Sequence, residues 1–211
     1  MVANGASRYH RRMASYMTVT SAFEYVSEPI KGSRFVALIS PVLDADSALA
    51  KVEEARARWP GATHHCWAFR VRDGGSRSSD DGEPGGSAGR PILAMIDGHE
   101  VTDVCVVVVR WYGGTKLGVG GLMRAYGGTA GKGLDASSIE EVIETADIWV
   151  GHTYDDTNAI ATVVSGYSAE VVETAYTDTV RTRLRVVLSA KETVEQALIN
   201  ATSGRVELIE S

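Results

Sequence analysis

Three carboxylates stand within four residues of one another in the segment Asp80-Asp81-Gly82-Glu83-Pro84. Carboxylates grouped in this way can bind a divalent cation, or act as acid and base, provided that the chain folds them together. The alternative interpretation is an acidic surface turn, which the glycines and Pro84 simply bend. The spacing alone favours the structural turn over the chemical site.

A second glycine-rich segment follows the apolar run at residues 104–109 and has the opposite charge, because residues 104–134 contain four cations and no acid. Loops that lead from a strand into a helix expose backbone N–H groups that bind anions. The glycine spacing fits neither a P-loop nor a dinucleotide fingerprint. An anion or phosphate site is therefore favoured narrowly over a tight structural turn. Its candidate residues are Lys31, Arg34, Arg110, Gly113, Gly114, Lys116, Gly118, Gly120, Gly121 and Arg124.

The remaining reactive side chains give weaker signals. His64 and Cys66 are expected on one face of a predicted strand and His65 on the other, but the chain has no further ligands at zinc-site spacing. We therefore interpret them as core or edge residues, and we interpret Cys105 as a small buried hydrophobe. No metal site and no catalytic residue is assigned from these patterns.

Apolar periodicity predicts the elements that position these segments. The first part of the chain is expected to hold a helix that Asp44 caps and that ends near Trp59. Strands are expected at residues 18–26, 34–42, 64–71 and 104–111, and short helices at residues 91–96 and 122–126.

Four glycines lie where the last of these helices would continue, at positions 127, 128, 131 and 133. A glycine inside a helix costs roughly 0.5–1 kcal/mol relative to alanine, so the four together would cost about 2–4 kcal/mol. The helix is therefore expected to be weak, short, or ordered by its neighbours.

The second part of the chain has a cleaner pattern. Strands are expected at residues 146–152, 170–176, 180–188 and 206–209, with helices from Asp155 or Asp156 to residue 164 and at residues 191–201. The order βαββαβ is the ferredoxin-like plan. The fold class is therefore α+β in two domains, at residues 17–138 and 144–211, after a flexible tail at residues 1–16.

Charge and hydropathy limit the function classes. The net charge is −6, and residues 140–211 hold 13 acidic against 5 basic side chains. This balance argues against a nucleic-acid binder that uses its whole surface, but it allows a local basic patch. The longest apolar run is six residues, whereas a membrane span needs about 20. No secretory signal is recognisable, so we expect a cytoplasmic protein without membrane partners.

Five ordered blocks carry a resemblance to a known family. They are residues 31–35 (KGSRF), 62–68 (ATHHCWA), 80–84 (DDGEP), 88–93 (AGRPIL) and 107–126, which includes VVVRWYGGTKLG and ends in RAY. With these blocks the chain resembles the IMPACT family, of the bacterial YigZ type. The resemblance covers residues 18–138, and the part after residue 144 is similar to the ferredoxin-like domain that follows in bacterial members.

The resemblance implies an N-terminal domain folded like the second domain of a small-subunit ribosomal protein, and a C-terminal domain like one of elongation factor G. Eukaryotic members regulate translation initiation, and no catalytic mechanism comes with the family. The leading hypothesis is a non-catalytic, translation-associated protein that binds RNA, the ribosome or a translation-related protein through the basic glycine-rich segment. Trp111 or Tyr112 would stack on a base, and no cofactor is expected.

The alternative hypothesis is an enzyme that acts on a phosphorylated small molecule or nucleotide. Asp80, Asp81 and Glu83 would then hold Mg²⁺ or act as general base, and the loop at residues 113–121 would hold the phosphate. A third hypothesis is a protein-interaction module that docks through the acidic C-terminal domain.

Overall fold

The computed structural model describes residues 15–209, which form two compact units: an N-terminal unit at residues 17–141, and a C-terminal unit at residues 142–209 to which residues 15–16 are also assigned. The flexible tail expected at residues 1–16 lies outside the described residues up to residue 14, and Ser15 begins the first strand. No helix within the described range is long and apolar enough to cross a membrane.

The N-terminal unit is built on a five-stranded antiparallel sheet with strand order β2-β3-β6-β4-β5. The strands are β2 (Phe23–Val26), β3 (Arg34–Pro41), β4 (His64–Val71), β5 (Gly75–Ser79) and β6 (Val104–Trp111), and the helices are α1 (Ala45–Arg58), α2 (Gly89–Gly98) and α3 (Val119–Ala136). The short strands β1 (Ser15–Val19) and β7 (Ile139–Ile143) pair with each other. The expected single strand at residues 18–26 is therefore wrong: β1 and β2 are separate strands.

The central strand β6 is buried on both faces, as its continuous apolar sequence predicted. Val104, Val106 and Val108 pack into a core with α2 and α3, whereas Cys105, Val107 and Val109 pack into a second core with α1. Cys66 and Cys105 are free and fully buried, which confirms their interpretation as hydrophobic residues.

Helix α1 begins at the predicted cap. Asp44 Oδ1 accepts a hydrogen bond from the Ser47 backbone N–H at 2.7 Å, and Ser47 Oγ accepts one from the Asp44 N–H at 3.1 Å. This reciprocal pair satisfies two N–H groups that the helix itself leaves free. The chain leaves the helix at Trp59, where the sequence predicted its end.

Helix α3 is much longer than the segment expected at residues 122–126, because its neighbours stabilise it. A Cβ atom at Gly127 would lie 3.5 Å from Pro91 Cβ, and one at Gly131 would lie 3.1 Å from Met95 Sδ. One at Gly133 would lie 2.6 Å from Ile39 Cδ1. Three of the four glycines thus bring α3 close to α2 and β3, so tertiary packing offsets their low helix propensity.

The C-terminal unit has the ferredoxin-like topology that the sequence predicted. Its antiparallel sheet has the order β11-β8-β10-β9, which is 4-1-3-2 within the unit. The elements are β8 (Thr145–His152), α4 (Thr157–Gly166), β9 (Glu170–Tyr176), β10 (Val180–Val187), α5 (Lys191–Ala201) and β11 (Glu207–Ile209). Ile148, Leu184 and Leu198 lie in the core between this sheet and its helices.

Two polar details of this unit bear on the sequence interpretation. Asp156 occupies the N-cap position of α4, but its side chain does not cap the helix; it pairs with Arg205 at 2.5 Å. Arg183 and Arg185 both pair with Asp147, at 3.6 and 3.0 Å. Two of the three arginines of β10 therefore form ion pairs within the sheet.

Candidate functional site

The acidic turn between β5 and α2 is fixed by the carboxylate of Asp80. Its oxygens accept three backbone N–H bonds of 2.7–2.8 Å, from Gly86, Ala88 and Gly89. Burial by itself would raise the pKa of Asp80, but the three N–H donors outweigh burial and hold this pKa below its usual value. Because Asp80 satisfies the free amides at the start of α2, its role is to shape the turn.

Asp81 points to a different side of the turn. Its carboxylate accepts bonds of 2.6 Å from Arg56 on α1 and from the His65 backbone N–H. Burial opposes the charged form of Asp81, yet these two donors lower its pKa below the usual value. The backbone at Asp81 is left-handed, with φ = 44°. Asp81 thus ties the turn to α1 and β4.

Glu83 is the one acid of the three that faces the basic segment. Its side chain is 5% exposed, and Oε1 accepts hydrogen bonds from Arg110 Nη1 at 2.5 Å and from Tyr126 OH at 2.7 Å. Arg110 Nη2 donates to Ser33 Oγ, which also accepts from the Gly113 N–H. This network joins the acidic turn, the end of β6 and helix α3 through buried, charge-assisted bonds.

The glycines after β6 serve two purposes. A Cβ atom at Gly113 would lie 1.9 Å from the carbonyl carbon of Gly32, so the chain passes directly over the turn at residues 30–33. Gly114 and Gly118 have φ of 86° and 71°, a region that favours glycine. Gly118 is the N-cap residue of α3, and no side chain caps that helix. The N-terminal N–H groups of α3 therefore keep their capacity to bind an anion.

A cleft of about 490 Å³ lies where these segments meet. Tyr112, which is 47% exposed, and Lys116 line its outer part. The buried side chains of Glu83 and Arg110 also line it. The Arg110 guanidinium lies 5.4 Å from the Tyr112 ring centroid. The complete lining is His64, Glu83, Pro84, Arg110, Tyr112, Lys116, Leu117, Gly118, Val119 and Leu122.

His64 is the residue of this cleft that the sequence interpretation missed. Its Nδ1 lies 2.8 Å from the backbone oxygen of Asp81, so that nitrogen donates and Nε2 is left as an acceptor when the ring is neutral. His64 Nε2 lies 3.8 Å from Glu83 Oε1. The sequence pattern placed His64 on the strand β4. It could not show that the acidic turn folds so that Glu83 lies beside His64.

The predicted basic residues do not form one patch. Arg110 and Lys116 line the cleft, and Lys31 sits next to Gly32, against which Gly113 packs. Arg34 lies 4.4 Å over the ring of Trp111, which packs edge-on against Trp59 on the α1 side of the sheet. Arg124 lines a different groove, between α2 and α3. Tyr112, and not the covered Trp111, is the aromatic ring available in the cleft.

The side chains of this site are not arranged to bind a metal ion or to act as a nucleophile. Among residues 15–209, no three His, Cys, Asp or Glu side chains are arranged to hold a metal ion. Asp80 and Asp81 are directed away from each other by their hydrogen-bond partners. Burial raises the pKa of the Cys66 thiol to about 12, so its thiolate is scarce at neutral pH.

Sequence comparison identifies both units. The family model of the Impact N-terminal domain matches residues 31–134, a range that contains the whole cleft. The family model of a Domain of unknown function (DUF1949) matches residues 153–205. IMPACT family member YigZ of Escherichia coli is 34% identical over 190 residues, which cover 87% of this chain and 92% of the relative. The chain belongs to the IMPACT family.

Further members extend the comparison. An IMPACT family member of Haemophilus influenzae is 31% identical, over 94% of this chain and 98% of its own length. The Protein IMPACT homolog of Saccharomyces cerevisiae is 35% identical over 101 residues, which cover 44% of this chain and 38% of that protein. A solved structure titled "Crystal structure of an hypothetical protein" has 30% identity and a TM-score of 0.65, over 94% of this chain and 98% of that chain.

Proposed function

We propose that this IMPACT family protein is a translation-associated regulator that binds single-stranded RNA in the cleft of its N-terminal unit. The observation that carries the proposal is the meeting of an exposed aromatic ring, Tyr112, with Lys116 and the uncapped N-terminus of α3. A base stacks on an aromatic face, and a phosphate is held by a cation and free N–H groups. Eukaryotic members of the family regulate translation initiation, and this likeness directs the proposal to translation.

The charges of the cleft agree with a polyanionic ligand. The one carboxylate in it, Glu83, is compensated by the buried guanidinium of Arg110. Lys116 forms no ion pair with a described residue, so its charge is available to a ligand. The chain from residue 104 to residue 134 contributes no acid that would repel phosphates.

The test is fluorescence anisotropy with a labelled single-stranded RNA of mixed sequence and the full-length protein. Loss of one stacked base costs about 1–3 kcal/mol, so Tyr112→Ala should weaken binding about 5- to 150-fold. Lys116→Ala should weaken it further in the double variant. The matched control is Lys132→Ala, which removes an exposed cation from the same acid-free stretch but outside the cleft.

Two results decide the matter. Binding lost in the double variant and kept in Lys132→Ala supports the cleft as the RNA site. Equal binding by the wild type and the double variant contradicts it. Co-sedimentation of the same variants with ribosomes tests whether the RNA concerned is ribosomal.

The second candidate is an enzyme for a phosphorylated small molecule, and the proximity of His64 to Glu83 favours it. His64 Nε2 has the position of a general base in a cleft that also holds Lys116. This candidate would operate without the Mg²⁺ of the sequence hypothesis, because Asp80 and Asp81 are occupied in the turn. Under it, a nucleotide or phosphosugar should raise the melting temperature, and His64→Gln should stop turnover of that compound without removing the shift. A panel of such compounds without any shift would contradict it.

A further inference from the structure

The N-terminal unit has a second concave surface, which shares no lining residue with the cleft. We call it the α2–α3 groove; it measures about 620 Å³ and lies between helices α2 and α3. Its lining includes Arg90, Pro91, Met95, Met123, Arg124 and Gly128. RNA binding at Tyr112 and Lys116 makes no use of this surface.

The floor of the groove is apolar and adaptable. Met123 is 46% exposed, and the half-buried Met95 and the exposed Ala94 continue the apolar surface onto α2. Methionine side chains conform to different partners, which is why they are frequent on peptide-binding surfaces. An exposed methionine in a groove lined by two helices suits an apolar helix face.

Gly128 leaves open space in the groove lining, and the packing of the fold does not require a glycine there. A Cβ atom there would meet nothing within 4 Å, although Gly128 lies in the middle of α3 and is exposed. The other three glycines of this stretch are accounted for by contacts with Pro91, Met95 and Ile39. A glycine at the floor of a groove allows the backbone of a bound segment to approach closely.

The groove is flanked by two basic side chains. Arg90 and Arg124 are exposed, and neither forms an ion pair with a carboxylate of the described residues. Asp80 is electrostatically coupled to Arg90, but its oxygens are occupied by backbone N–H groups. Charge complementarity therefore calls for an acidic occupant.

We infer that the α2–α3 groove binds an acidic amphipathic helix of a protein partner. Its apolar face would lie on Met95 and Met123, its backbone would cross Gly128, and its flanking carboxylates would pair with Arg90 and Arg124. The groove lining contains no aromatic ring on which a base could stack, so a peptide fits this surface better than RNA does.

The test starts from a displayed library of random peptides about 16 residues long, enough for a helix of four turns, selected on the full-length protein. We expect enrichment of sequences with apolar residues spaced by three and four, flanked by Asp or Glu. An enriched peptide, synthesised with a fluorophore, should bind the Arg90→Glu/Arg124→Glu variant at least about tenfold more weakly, a difference of 1.4 kcal/mol.

Two further variants make the result specific. The control Arg77→Glu/Lys132→Glu changes the net charge equally at exposed positions outside the groove, and it should bind like the wild type. Gly128→Leu fills the floor where the fold leaves space, so it should also weaken the peptide about tenfold while the protein stays folded. Tyr112→Ala should leave peptide binding unchanged, which separates this inference from RNA binding at the cleft.

The inference is overturned if selection enriches no acidic sequences, or if enriched peptides bind the groove variants as tightly as the wild type. It is also overturned if single-stranded RNA displaces the peptide and loses affinity for Arg90→Glu/Arg124→Glu. In that case the groove is part of a nucleic-acid surface.

Discussion

At the scale of single residues, the cleft depends on a buried charge pair. Glu83 and Arg110 have side chains that are each 5% exposed; Tyr126 donates a further hydrogen bond to Glu83, and Arg110 donates one to Ser33, while the buried Arg110 Nε has no partner among the described residues. Such a pair adds little net stability over apolar residues, but removal of one partner leaves a buried charge without compensation. Its value lies in fixing where the acidic turn meets the glycine loop.

Glu83→Gln should therefore lower the free energy of unfolding by about 3–5 kcal/mol, because Arg110 would stay buried without a counter-charge. Urea unfolding of the full chain measures this loss. The double variant Glu83→Gln/Arg110→Met, which removes both charges, should regain part of the stability. A loss below about 1 kcal/mol in the single variant would mean that water replaces the pair.

Asp80 makes a pH-dependent contribution whose direction follows from its environment. Burial opposes ionisation, but the N–H groups of Gly86, Gly89 and Ala88 hold the folded-state pKa below the usual value. The ionised form thus stabilises the folded state above the unfolded-state pKa of about 3.9, and this contribution is lost as pH falls through the lower folded-state pKa. Asp80→Asn should cost about 1–3 kcal/mol at neutral pH.

Thermal unfolding between about pH 6 and pH 3 checks this prediction. The stability difference between wild type and Asp80→Asn should shrink as the pH falls. A difference that stays constant over this range would show that the carboxylate charge is irrelevant. Asp46→Asn, at an exposed acid in the first turn of α1, is the matched control.

Residue types in the sequence indicated that residues 80–84 and 110–121 belong to a candidate functional site. They did not distinguish the roles of the three acids Asp80, Asp81 and Glu83. Those roles depend on which donors the fold places nearby: backbone amides for Asp80, Arg56 for Asp81 and Arg110 for Glu83. His64 could not be assigned to the cleft for the same reason, since its partner Glu83 arrives from a distant turn.

At the scale of elements, helix α3 shows tertiary packing overriding local propensity. The sequence predicted a helix at residues 122–126, which begins three residues after the observed start at Val119, and it did not predict the length, because propensity counts every glycine against the helix. At Gly127, Gly131 and Gly133, close packing against α2 and β3 stabilises the helix and offsets the low helix propensity of glycine. The continuous apolar run of β6 and the Asp44 cap of α1 needed no such context and were predicted correctly.

Two alanine substitutions in α3 should accordingly have opposite effects. Gly128→Ala should stabilise the protein by about 0.5–1 kcal/mol, because the new methyl group meets nothing within 4 Å. Gly133→Ala should destabilise it by about 1–3 kcal/mol, since its Cβ would lie 2.6 Å from the buried Ile39 Cδ1 and 3.4 Å from Ala37 Cβ. Midpoints of chemical denaturation measure both. Equal effects of the two substitutions would contradict the packing account.

At the scale of the whole molecule, the charge is unevenly distributed along the chain. The chain carries −6 overall, but residues 104–134, which supply the glycine-rich loop and most of α3, carry only cations. The C-terminal unit neutralises several of its own arginines, as Arg183, Arg185 and Arg205 all pair with acids of that unit. The net charge of the protein is therefore a poor guide to the ligand, and the local field at the cleft is the relevant quantity.

The salt dependence of RNA binding reports how many phosphates this local field engages. For a single strand, the logarithm of the binding constant falls with the logarithm of the salt concentration with a slope of about −0.7 per phosphate contact. Because the structure brings Lys116 and the N-terminus of α3 together at the cleft, we expect about two contacts and a slope of about −1.4. Lys116→Ala should make the slope less steep by about 0.7, whereas Lys132→Ala should leave it unchanged. A slope near zero in the wild type would mean that stacking on Tyr112 alone holds the RNA, and a steeper slope unaffected by Lys116→Ala would locate the phosphates away from the cleft.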